Sequence, residues 1–168
     1  MGTDKIVVSG ESVGAHLALT TGMIPASAGL DAQCPGRENL KVAAIINWSG
    51  IADVSELLEG PHVSRSAVAW LGSSPNRKET AERVSPLRNV RSGLPPVLTI
   101  HGDADPTIPY TQATRLRDAL TKAGVRNELL TVPGGGHIDF PREEMLRIHS
   151  RIREFLRSSN LNGIREKY

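Results

Sequence analysis

A serine stands between two glycines in Gly10-Glu11-Ser12-Val13-Gly14, with the apolar run Ile6-Val7-Val8 before it and Ala15-His16-Leu17-Ala18-Leu19 after it. The run reads as a short strand and the alanine-rich stretch as a helix. A Gly-x-Ser-x-Gly turn between a strand and a helix places its serine on a sharp, strained corner. Gly10 and Gly14 are expected to let that corner close where a side chain would collide. The Ser12 hydroxyl would then project from the carboxyl end of the strand. The Val13 N–H would lie at the helix N-terminus, where unpaired donors and the helix dipole favour an oxyanion. A loop serine capping a helix gives the same five residues. The strand and the helix on either side favour a nucleophile.

The rest of the chain alternates in the same way. The helix is expected to run from Ser12 or Val13 to about Met23, with Val13, Leu17 and Met23 as its larger apolar positions. A polar loop follows, from Ala26 to Asn39. Lys41 to Trp48 is a continuous apolar run of the kind found in parallel strands covered on both faces. Between Asp53 and Leu71 the spacing predicts a few helical turns with Val54, Leu57 and Leu58 inward, then a helix over Val63 to Trp70. A short helix is expected at Lys78 to Val84. Val97 to His101 is a third strand, Thr111 to Ala123 a helix facing inward through Leu116, Ala119 and Leu120, and Glu128 to Val132 a fourth strand. The last helix spans Arg142 to Ser158, with Met145, Leu146, Ile148, Ile152 and Phe155 inward. One domain over residues 3–159 and a tail over 160–168 are expected. Alternating strands and helices imply an α/β three-layer sandwich around a mostly parallel sheet.

Ligands of such sheets sit at the carboxyl ends of the strands. Ser12, the Asp103/Asp105 loop and His137 each follow the carboxyl end of a strand. A serine hydroxyl needs an adjacent base at neutral pH. Histidine has the right pKa, and an acid must fix its tautomer. Asp105 precedes Pro106, which biases its backbone toward an extended form. Asp103 can instead cap the turn, and spacing leaves both open. His137 follows Gly134-Gly135-Gly136. Asp139 is expected as a cap or a surface charge, His101 as a structural hydrogen-bonder, His16 as packed against the loops, and His62 and His149 as exposed. Burial is the expected fate of Trp48 and Trp70, with a place in a pocket wall as the alternative. Asn47-Trp48-Ser49 matches a glycosylation acceptor, but modification is not expected at a strand end.

Composition excludes several classes. The net charge of +2 over 168 residues implies no nucleic-acid or acidic-membrane partner. Cys34 is the only cysteine, so an internal disulfide and a cysteine-based metal site are both excluded. It reads as a bystander thiol. No histidine pair has metal-ligand spacing, and neither a metal nor another cofactor is expected. No run is long and apolar enough for a membrane span. Met1-Gly2-Thr3-Asp4 leads straight into the first strand without a leader. The compartment stays unassigned, with the cytoplasm favoured on that ground.

Three ordered blocks resemble α/β-hydrolase esterases of the hormone-sensitive-lipase-like and acetylxylan or feruloyl esterase-like branches. They are the elbow from Asp4 to Ala18, Ser85-Pro86-Leu87 with Leu94-Pro95-Pro96 through His101-Gly102-Asp103-Ala104-Asp105, and Gly135-Gly136-His137. The resemblance implies Ser12 as nucleophile, Asp105 as acid, His137 as base and the Val13 N–H as oxyanion donor, acting on a small ester without a cofactor. It also implies about the last four strands of a longer sheet, hence the carboxyl half of such an enzyme. The family's His-Gly-Gly-Gly oxyanion loop has no counterpart here. The first strand is then expected to present an open edge and to pair with a second copy in a homo-oligomer. Two alternatives use the same residues: a serine peptidase of the prolyl-oligopeptidase type, and a non-catalytic remnant that binds through its sheet edge.

Overall fold

The computed structural model describes residues 6–30, 32–33, 41–159 and 161. Lys5, Cys34 and the tail at 160 and 162–168 lie outside the described residues. Four parallel strands form one sheet: β1 (Ile6–Glu11), β2 (Val42–Trp48), β3 (Val97–Gly102) and β4 (Asn127–Val132), in the order β1-β2-β3-β4. The helices are α1 (Val13–Met23), α2 (Arg65–Leu71), α3 (Arg77–Arg83), α4 (Tyr110–Lys122) and α5 (Arg142–Ser158).

Alternation along the central strands sends their side chains to two cores. Ile45 and Val97 meet Leu19, Met23, Leu116 and Leu120 on one face of the sheet. Ala44, Ile46, Trp48, Leu98 and Ile100 meet Ile148 and Phe155 on the other. Helices α1 and α4 thus cover one face and α5 the other, the three layers expected from the alternation. β2 and β3 are buried because both neighbours and both faces are occupied. β1 and β4 end the sheet and are largely half-buried.

Four apolar residues expected inside stand exposed, three of them for one geometric reason. In α1 the sheet side carries Ala15, Ala18, Leu19 and Met23, while Val13 and Leu17 are 60% and 58% exposed. Successive helical residues rotate by about 100°, so Val13 points away from a stripe centred on Ala15 and Leu19. In α5, Met145, Ile148, Ile152 and Phe155 share the inner face. Leu146 falls off that stripe and is exposed. Trp70, on the short helix α2, is 59% exposed, whereas Trp48 is buried as expected.

The segment after β2 makes a smaller core of its own. A single 3₁₀ turn at Ser55–Leu57 and the helices α2 and α3 bring Val54, Leu57, Leu58, Ala67, Ala81 and Val84 against Ile108 of the Asp103/Asp105 loop. Buried polar groups pin this segment to the sheet layer. The Gln112 side-chain oxygen accepts from the Ala52 and Asp53 N–H groups at 2.9 and 2.7 Å. Ser85, fully buried, accepts from the Val54 N–H at 2.9 Å and donates to the Ala81 carbonyl at 2.6 Å. Buried polar groups need such partners. Among the described residues no helix is long and apolar enough to cross a membrane.

Candidate active site

The elbow begins inside β1, which continues through Gly10 to Glu11. The Ser12 N–H donates to the Trp48 carbonyl at 2.8 Å, so β2 holds the corner from beside it. Ser12 itself has φ 54°, in the left-handed region that a residue with a side chain rarely adopts. A Cβ on Gly10 would lie 2.2 Å from the Gly14 carbonyl oxygen, and that contact is backbone on both sides. Only glycine lets strand and helix approach so closely. Gly14 serves differently from the expectation. A Cβ there would meet nothing within 4 Å, so Gly14 offers its backbone to Gly10 and is not itself crowded.

The loop after β4 reaches the elbow by a similar close approach. A Cβ on Gly102 would lie 2.2 Å from the Gly135 carbonyl oxygen. The Ala104 N–H donates to that carbonyl at 3.1 Å, and Asp103 accepts from the Gly134 N–H at 2.6 Å. Asp103, exposed at the loop surface, therefore fastens the glycine loop and does not meet a histidine.

Asp105 does. Its Oδ2 lies 2.7 Å from His137 Nδ1, and His137 Nε2 lies 2.9 Å from Ser12 Oγ. The pair spans 125 positions of sequence. A carboxylate only accepts, so Nδ1 of His137 carries the proton and Nε2 of the neutral ring accepts from the serine hydroxyl. The Asp105 side chain is fully buried and that of His137 is 20% exposed. Burial pushes the Asp105 carboxyl up. Hydrogen bonds from His137 and from the N–H groups of Ile108 and Thr107 outweigh it and hold the pKa below the ordinary aspartate value. Asp105 is thus a fixed anion at neutral pH.

His101 sits behind Asp105. It is fully buried, and its Nε2–H donates to the Ile108 carbonyl at 3.0 Å while lying 3.3 Å from Asp105 Oδ2. Its Nδ1 has no hydrogen-bond partner among the described residues. Burial lowers its pKa against the opposing pull of the Ile108 carbonyl and Asp105, so it stands as a neutral support of the Asp103/Asp105 loop. His16 is likewise buried, bonded through Nδ1 to the Ile51 carbonyl at 3.0 Å and edge-on to Trp70. Burial lowers its pKa too. His62, His149 and Asp139 are exposed. The N-cap of α5 is Pro141, so Asp139 is a surface charge and not a cap. Asn47 is buried and donates to the Thr99 hydroxyl at 3.1 Å, which leaves it inaccessible to a glycosylating enzyme.

These two histidines make stability depend on pH. Each has a folded pKa below the ordinary 6.5. The unfolded chain takes up protons near that value while the folded chain does not. Stability is therefore fully present above about pH 6.5 and is lost as pH falls below it. Thermal unfolding followed by circular dichroism between about pH 7 and pH 5 should show a falling Tm. A flat profile would count against neutral, buried rings at both positions.

The Val13 N–H, at the first turn of α1, meets no acceptor among the described residues. One feature escaped sequence reasoning. Ser49, at the end of β2, has φ 46°, is fully buried, and donates from Oγ to the His137 carbonyl at 2.6 Å. Its only signal in sequence is its place: a small polar residue at the carboxyl end of a strand beside the elbow.

The model of the BD-FAE family matches residues 1–120. The chain belongs to the BD-FAE family. Known proteins similar to this BD-FAE chain include esterases and also non-reducing polyketide synthases, such as ausA of Aspergillus calidoustus, 31% identical over 115 residues that cover 62% of this chain and 4% of that protein. The chain is 26% identical over 152 residues to isoprenylcysteine alpha-carbonyl methylesterase ICME of Arabidopsis thaliana, covering 86% of this chain and 36% of that protein. It is 29% identical over 139 residues to esterase LipC of Mycobacterium tuberculosis, covering 79% and 34%. The solved esterase Est2 of Thermogutta terrifontis superposes with a TM-score of 0.72 at 28% identity, over 96% of this chain and 57% of that one. The chain thus spans about a third of the length of these two curated esterases and just over half of the solved one. It carries the α/β-hydrolase fold of such esterases in four parallel strands with flanking helices.

Proposed function

We propose that this chain is a serine carboxylic-ester hydrolase that works through an acyl-enzyme on small esters. The observation that carries the proposal is the continuous hydrogen-bonded line from Ser12 Oγ through His137 to Asp105. Ser12 Oγ attacks the acyl carbon as His137 Nε2 takes its proton. The Asp105 carboxylate stabilises the imidazolium from Nδ1. The carbonyl oxygen, now negative, is received by the Val13 N–H at the start of α1. Collapse expels the alcohol, which leaves with the proton from Nε2. Water, deprotonated by the same nitrogen, then attacks the acyl-enzyme and releases the acid.

One oxyanion donor is assigned within these residues. Lacking a second typically costs roughly a hundred- to a thousandfold in rate. The expected activity is therefore weak and confined to activated esters, unless a donor comes from a second copy or from sequence outside this chain. The deciding experiment offers a p-nitrophenyl acetate and an aminoacyl p-nitroanilide side by side. Hydrolysis of the ester alone supports the proposal. Preference for the amide would move the chain to the peptidases of the prolyl-oligopeptidase type. A chain that cleaves neither and resists a fluorophosphonate would be a non-catalytic binding module.

The outer side of β1 bears on assembly. Among the described residues β1 ends the sheet, and Ile6, Val7 and Val8 are only half-buried. Unpaired strand edges recruit other chains. Two copies are expected to associate through β1, giving a dimer or larger oligomer. Light scattering at micromolar concentration checks this, and a well-behaved monomer would refute it.

A further inference from the structure

The end of β2 holds both reacting side chains by their backbones. The Trp48 carbonyl accepts from the Ser12 N–H at 2.8 Å. The next residue, Ser49, donates from Oγ to the His137 carbonyl at 2.6 Å, and its own N–H donates to the Ile100 carbonyl at 2.8 Å. Two consecutive residues therefore fasten the elbow, the base and the neighbouring strand to one point. Ser49 is fully buried, and its φ of 46° is one that glycine would adopt without strain. A strained conformation persists where its surroundings require it, and such residues cluster at functional sites. Glycine here would relieve the backbone but would leave the His137 carbonyl without this donor.

We infer that Ser49 is a positioning residue for hydrolysis: its hydroxyl fixes the backbone of His137 so that Nε2 stays within reach of Ser12 Oγ. The inference rests on the proposed serine-hydrolase role of the site. His137 is held at its ring by Asp105 and at its carbonyl by Ser49. The loop preceding it is three consecutive glycines, which restrain little by themselves. Without the Ser49 bond, His137 keeps its ring contact and the bonds at Gly134 and Gly135, but its own backbone loses its anchor and the imidazole can shift. Misplacing a reacting group by about 1 Å can cost on the order of a hundredfold in rate.

The test separates the hydroxyl from the backbone. Ser49→Gly keeps the left-handed backbone and removes the hydroxyl. Ser49→Thr keeps the hydroxyl and adds a methyl where β-branching is disfavoured. The first readout is the rate of Ser12 labelling by a fluorophosphonate, normalised to folded protein by circular dichroism. Ser49→Gly should label roughly ten- to a hundredfold more slowly than the parent chain. Ser49→Thr should melt at a lower temperature yet label near the parent rate. The second readout needs no reactivity at Ser12: the low-field proton resonance of the His137 Nδ1–H held by Asp105. It should shift or broaden in Ser49→Gly. A Ser49→Gly chain with the parent's labelling rate and an unmoved resonance would overturn the inference, as would a folded Ser49→Thr as slow as Ser49→Gly. If the parent chain does not label at all, the hydrolase proposal fails, and the resonance alone then decides for or against Ser49.

Discussion

Ser12→Ala should abolish ester hydrolysis and leave a fluorophosphonate with nothing to label. The parent chain should gain one adduct by intact-mass spectrometry, and the variant none. In a complete triad, loss of the nucleophile costs on the order of a millionfold in kcat. This chain starts lower, with one oxyanion donor assigned, so the drop will end at the assay background. The fold should survive. Ser12 Oγ bonds only to His137 among the described residues, while the bond that holds the corner runs from the Ser12 N–H to the Trp48 carbonyl and is kept. Alanine at φ 54° is hardly worse placed than serine. Unchanged turnover in a purified Ser12→Ala chain would remove the serine mechanism, whatever the geometry.

Asp105→Asn should be nearly as damaging, for a reason that lies in the loop's own hydrogen bonds. The N–H groups of Thr107 and Ile108 donate to Asp105 Oδ1 at 2.8 and 2.9 Å. In the asparagine variant those two donors hold the amide oxygen in that place. The amide nitrogen must then face His137. A donor at that point forces the proton off Nδ1 and onto Nε2, so the ring can no longer accept from Ser12. The wrong tautomer is expected to lower kcat by about 10⁴-fold. The amide would also confront the Nε2–H of His101, 3.3 Å from the present Oδ2, so a lower Tm should accompany the loss. Asp103→Asn is the matched control. Its side chain fastens the Gly134 N–H through Oδ1 and does not touch the base, so activity should fall far less. Equal losses at the two positions would mean that Asp105 acts only through the loop.

The placement of Asp105, His137 and Ser12 also explains why the fold tolerates three glycines in a row. Gly102 and Gly135 meet backbone to backbone, and the Ala104 and Asp103 bonds fix that meeting. His137 is thus carried on a loop that has little rigidity of its own and borrows it from the Asp103/Asp105 loop and from β2.

What the chain's spacing determined by itself was local. The strands, the helix starts and the elbow at Gly10-Glu11-Ser12-Val13-Gly14 follow from period, turn residues and close-approach glycines, all within a few residues of one another. The order of Ser12, an aspartate and His137 after successive strand ends was legible too, because parallel topology sends strand ends to one edge. What only the tertiary structure decided depended on which neighbour arrives on which side. Asp105, which spacing left open against Asp103 and the esterase resemblance favoured, reaches His137, while Asp103 is held by the glycine loop. Val13, Leu17, Leu146 and Trp70 stand exposed although they are apolar, since no described element covers their faces. Ser49 looks in sequence like an ordinary strand end. Its left-handed backbone and its bond to His137 exist only because a loop 88 positions away packs onto β2, and no local spacing encodes a contact of that range.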